Sequence, residues 1–196
     1  MTRTTARQLA IQIGFSVAWN PAGAQETLDA FFDKEYFSSL AGENELFAEY
    51  PGAKQQEYIS AVVLGTAEHA RELDAYVEKY ARGWKVSRIS RIALTILRTA
   101  LFEVLYMDDV PDSVAINEAV ELAKGYEEPE TVSFINGILG SFMRGERGAP
   151  PKPERERENM AQEVSASESA EVTAAEESPA SEEAAETPAA GGTEQK

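Results

Sequence analysis

The sequence predicts an all-α domain of six to seven helices in two packed subdomains, followed by a disordered acidic tail. Three observations predict it. Through the first 148 positions apolar residues recur at spacings of three and four. Strand-like alternation is almost absent, and the connections between apolar stretches are short, which implies antiparallel helical neighbours. Beyond residue 150 the chain contains no Phe, Tyr, Trp, Leu or Ile. A Glu/Ala/Ser/Pro/Thr segment of that kind cannot bury enough apolar area to offset chain entropy. The boundaries expected are therefore a helical domain over 1–148 and a tail over 149–196.

The elements follow in order. Over residues 4–19, Ala6, Ala10, Ile13 and Val17 form one line, widened by Leu9, Ile11 and Phe15; Thr4 or Thr5 can cap this helix and Pro21 ends it. Residues 25–40 continue as one helix through Leu28, Phe31, Phe32 and Leu40, until Gly42. A short helix around 45–50 closes at Pro51-Gly52. The longest periodic run, 54–82, carries Ile59, Val62, Val63, Thr66, Ala70, Leu73, Val77 and Tyr80, with Gly65 as a candidate bend. Residues 87–106 are apolar on more than one side, so that helix is expected at the centre. Ser113 or Asp112 can cap a helix holding Ile116, Ala119, Val120 and Ala123. Pro129 interrupts; Thr131 can cap a last helix with Phe134, Ile135, Ile138, Leu139 and Phe142, stopped at Gly145.

Composition excludes several functions. The chain has net charge −16, shared equally between residues 1–150 and the tail. An acidic domain is a poor non-specific binder of nucleic acid, because counterion release needs many Lys and Arg. Any such role needs a local patch or a partner protein. With no cysteine, disulfides, zinc–thiolate sites and thiol catalysis are excluded. His69, the only histidine, has no nucleophile or metal pattern around it, and no Gly-rich phosphate loop is present. No cofactor or metal is expected. No stretch approaches 18 continuous apolar residues, so neither a span nor a membrane partner is expected. The basic-then-apolar N-terminus lacks a small-residue cleavage site, so the expected location is cytoplasmic.

Three stretches together resemble the NusB family of transcription antitermination factors. They are ARQLAIQIGF (6–15), WKVSRISRIALTILRTALFEVLY (84–106) and DVPDSVAINEAVELAK followed by SFINGIL (109–139). The INEAVELAK and INGIL elements are the most specific. The resemblance covers residues 4–144. It implies two three-helix subdomains, no enzymatic activity, and binding of the boxA sequence of nascent ribosomal RNA. That binding is shared with NusE, a small-subunit ribosomal protein, within the RNA polymerase antitermination complex. Where the family often carries an arginine cluster, only Arg3 and Arg7 precede the apolar helix.

Candidate site residues follow from both sources. Arg3 and Arg7 at a helix start form a mobile cation pair able to meet phosphates; solvated surface charge is the alternative. Phe15 lies off the main apolar line and, if exposed, can stack on an unpaired base. Lys124 and Phe134 flank the polar turn between the last two helices and can meet a phosphate and a base; the alternative closes a helix end with Lys124 and packs Phe134 inward. Glu130, in the same turn, would tune RNA affinity downward. Asn117 and Asn136 interrupt apolar stripes, and as buried amides they would lock the last two helices. Arg88, Arg91 and Arg98 are expected to pair with Glu103, Glu118 or Glu121. A homodimer is possible, because a helical stripe serves an interface as well as a core.

Overall fold

The computed structural model describes residues 1–18, 23–42, 44–81 and 89–148. The tail, Trp84, Arg88 and the helix stop at Pro21 lie outside the described residues. Among the described residues there are eight α-helices, one 3-10 turn and no strand. The helices are α1 (Arg3–Val17), α2 (Ala24–Phe32), α3 (Lys34–Leu40), α4 (Ala53–Glu68), α5 (Ala70–Tyr80), α6 (Arg91–Tyr106), α7 (Asp112–Ala123) and α8 (Pro129–Glu146); the 3-10 turn is Glu45–Phe47.

The helix count exceeds six to seven because two expected helices are each broken in two. Residues 25–40 divide at Asp33, whose backbone is extended and whose carboxylate accepts from the Tyr36 N–H at 2.8 Å. That is an N-cap, and a cap in mid-run ends one helix as it starts the next. The run 54–82 divides at His69 (φ −91°, ψ 10°). The buried positions Val63, Leu73 and Val77 stay nearly in phase across that break, so periodicity cannot reveal it. Gly65 is not the bend. It lies within α4, where a Cβ would run into the Phe102 ring.

Four expected termini also shift. Neither Asp112 nor Ser113 caps α7: both lie inside the helix, and Pro111 holds the N-cap position with no side-chain bond. Thr2 caps α1, its hydroxyl accepting from the Thr5 N–H at 3.1 Å. Pro129 opens α8 at its first turn, where its missing N–H costs nothing, and Thr131 lies inside the helix. Gly145 is helical; the left-handed residue beyond the end is Gly148, φ +64°.

Helix α6 lies at the centre, packed against α1, α4, α5, α7 and α8. Ala93, Ile96, Leu97, Ala100, Leu101 and Val104 are all buried, so the all-round apolar character has its reason. Most remaining contacts fall into two groups, α1–α4 with the 3-10 turn, and α5–α8, with α4 and α5 also touching where they follow one another. On α7 the buried face is an alanine line, Ala115, Ala119 and Ala123, which lets α6 approach closely.

One polar cluster sits inside this packing. Arg7 is 1% exposed and Glu103 is fully buried. The Arg7 Nε and Nη2 atoms donate to the Glu103 carboxylate at 2.8–3.0 Å, and Nη1 donates to Glu118 at 2.9 Å. The Tyr58 hydroxyl donates to the same Glu103 oxygen at 2.7 Å. These bonds join α1, α4, α6 and α7. Burial would lower the Arg7 pKa, but the hydrogen bonds and charge of Glu103 prevail and raise it. Burial, reinforced by Glu103, pushes the Tyr58 phenol up. The cluster therefore holds one cation, carboxylates and a neutral phenol.

Two outcomes are expected. Glu103→Gln or Arg7→Met alone leaves a buried charge without its partner and lowers unfolding free energy by about 3–5 kcal/mol; Arg7→Met with Glu103→Leu costs less than either single change, as read by urea unfolding. Gly65→Ala, which in an open helix would gain about 1 kcal/mol, instead overpacks against Phe102 and lowers stability by about 1–3 kcal/mol in the same assay.

Candidate nucleic-acid interface

The outer face of α1 is polar. Thr4, Gln8, Gln12 and Phe15 follow at spacings of four, four and three, which places them on one side of the helix. Ala6, Leu9, Ala10, Ile13 and Val17 are buried opposite them. Phe15 is 36% exposed, one of four large apolar side chains at the surface among the described residues. The apolar line thus holds as the core face, and Phe15 stands off it.

The polar turn between α7 and α8 reaches this face. The Gln8 amide donates to the Tyr126 hydroxyl at 3.1 Å. Lys124 occupies the C-cap of α7, where a cation is favoured by the helix dipole. Its side chain is 57% exposed and its Nζ lies 2.7 Å from Glu121. An exposed pair of that kind is weak, so the ammonium remains free to exchange partners. Glu130 is exposed in the first turn of α8. Phe134, one turn further on, is half-buried and packs against the core.

Arg3 and Arg7 belong elsewhere, and the expectation of a mobile cation pair is corrected. Arg7 is sealed in the Glu103–Glu118 cluster and presents no guanidinium to a phosphate. Its carboxylate partners hold it with four hydrogen bonds. Arg3 lies over the Tyr58 ring, 4.2 Å from its centroid, with Nη2 3.6 Å from Asp109. Its side chain is 39% exposed. Arg3 and Phe15 are twelve residues apart, about 18 Å along the helix, and point to different sides. The structure does not bring them together.

Two further expectations are revised. Asn117 is exposed; it faces away from the alanine line of α7, so no buried amide locks the helices there. Asn136 is half-buried. Arg98 makes a bidentate pair with Asp74 of α5, both distances 2.7 Å, and not with Glu103 or Glu118, which Arg7 holds.

Sequence reasoning passed over Gln8, Tyr58 and Tyr126. Tyr58 had a signal: Arg7 and Glu103 each interrupt an apolar helix at a core-facing position, and two opposite charges so placed ask for one another. The Gln8–Tyr126 bond spans 118 positions and left no local trace.

Comparison with known proteins agrees with this architecture. A sequence profile of the NusB family matches residues 4–144. The chain is 38% identical over 151 residues to a transcription antitermination protein NusB of Symbiobacterium thermophilum, covering 76% of this chain and 94% of that protein. It is 53% identical over 89 residues to the NusB of Acetivibrio thermocellus, spanning 45% of this chain and 61% of that relative's length. A solved structure of T. maritima NusB superposes with a TM-score of 0.60 at 23% identity, covering 81% of this chain and 98% of that one, which speaks to the fold alone. From the profile and the Symbiobacterium alignment together, the chain belongs to the NusB family.

Proposed function

We propose that this chain is a non-enzymatic transcription antitermination factor that binds boxA RNA of ribosomal RNA operons together with the ribosomal protein NusE. The relatives it matches carry the name transcription antitermination protein NusB. Among the described residues no helix is long and apolar enough to cross a membrane.

One observation supports an RNA role for this chain's own surface. Phe15 is exposed on the polar face of α1, and Gln8 on that face bonds to the turn that follows Lys124. A ring free to stack, with a lysine on an adjoining element, is a small single-strand platform. Net charge −16 argues that the platform works beside a basic partner. A second reading is favoured by the burial of Arg7: with that cation sequestered, the chain would act as a protein-only scaffold in the same machinery.

A mobility-shift assay separates them. The chain alone is expected to bind boxA RNA weakly and the chain with NusE tightly, with mutated boxA binding poorly. The salt dependence should be shallow, with a slope of about −0.7 per phosphate contact. Phe15→Ala is expected to cost about 1–3 kcal/mol of RNA affinity without a change in unfolding midpoint. Equal RNA affinity with and without NusE, or no discrimination of boxA, contradicts the proposal.

A further inference from the structure

We infer that Gln8 and Tyr126 form a positioning clasp that sets the α7–α8 turn against the outer face of α1, so that Phe15 and Lys124 are presented as one surface. The inference rests on the RNA-binding reading above and names what orients that surface.

The turn's backbone bonds are all local. Gly125 N–H donates to Leu122 at 3.1 Å, Tyr126 N–H to Ala123 at 3.0 Å and Glu127 N–H to Ala123 at 2.9 Å. They fold the turn back on the end of α7, and two side-chain bonds tie it to other elements. Gln8 reaches Tyr126 from α1 at 3.1 Å. From the other side, the Ser90 hydroxyl donates to the Glu127 carboxylate while accepting from the Ala93 N–H at 3.1 Å as the N-cap of α6. The turn is thus suspended between α1 and the start of α6 at two consecutive residues.

The α1 end of the clasp is itself immobile. Arg7, next to Gln8, is fixed to α6 and α7 through Glu103 and Glu118. Phe15 is seven residues beyond Gln8, two turns and about 10 Å along the same face. A helix bonded to the turn at this point limits how far the turn, and Lys124 at its start, can move from the outer face of α1. Neither Gln8 nor Tyr126 needs to touch RNA in this arrangement. Positioning of this kind acts through pre-organisation, because a surface already set in its bound geometry loses less freedom on binding.

The test uses Tyr126→Phe, which removes one oxygen, Gln8→Met, which keeps the stem and removes the donor, and the double variant. Affinity for boxA RNA in the presence of NusE is measured beside affinity for NusE alone and the unfolding midpoint. Each single variant is expected to lose roughly three- to tenfold in RNA affinity, the range set by one neutral hydrogen bond. The double variant should lose no more than the worse single, and affinity for NusE should not change. Should Tyr126→Phe fail to fold, Gln8→Met, a change at a half-buried surface position, carries the test. Unchanged RNA affinity in a folded single variant, additive losses, or a parallel fall in NusE affinity overturns the clasp while leaving the RNA-binding reading intact. Absence of RNA binding by the unaltered chain with NusE overturns both.

Discussion

The pairing of Arg7 with Glu103 is the constraint on which the rest of this structure depends. It places a cation and an anion, 96 positions apart in the chain, inside the contact between the first helix and the central one. Buried ions without partners are among the costliest groups a protein can carry. The sequence therefore tolerates few other arrangements of α1 on α6. A slip by one residue would turn Arg7 into apolar surroundings and leave Glu103 without its charged donor. Register, more than adhesion, is what this cluster supplies, since apolar residues of similar volume could hold the helices as firmly.

Fixing α1 by one side determines what the other side can do. With Ala6, Arg7, Ala10 and Val17 inward, the Gln8–Gln12–Phe15 side has to face out. The surface cations of the described domain are correspondingly few near α1: Arg7 is consumed in the core and Arg3 is docked on Tyr58. An electronegative domain whose first helix buries one of its two cations and docks the other on a ring is badly equipped to bind RNA there by charge alone. Stacking, one lysine and a second protein are the means left, and this is why the functional reading is a shared surface.

Much of the fold was legible, for physical reasons that differ by element. The α1 line and the all-round apolar α6 were readable because burial imposes the helical period directly on the residues. The break at His69 was not, since Val63, Leu73 and Val77 keep the same phase on both sides of it. The break at Asp33 had a visible capping residue, outweighed by the apolar run on either side. Within the site, the angle of Phe15 off the apolar line left its exposure open, since Ile11, one turn before it, is fully buried. Arg7 was misread because a cation at a helix start is usually solvated, and nothing local reveals a carboxylate on a distant helix. Asn117 was misread for the opposite reason: Ile116 and Val120 near it are apolar, but the packed face of α7 is the alanine line Ala115, Ala119 and Ala123.

The most direct measurement is a nuclear magnetic resonance titration of the full chain, mixed with NusE, with boxA RNA, following side-chain signals. The account predicts that the Phe15 ring, the Tyr126 ring and the Lys124 ammonium shift together on RNA addition, while the Arg7 Nε–H stays slow to exchange and unmoved. Shifts centred on the Arg7 Nε–H with Phe15 undisturbed would contradict it, because they would mean that the buried pair opens to bind RNA and that the outer face of α1 does not.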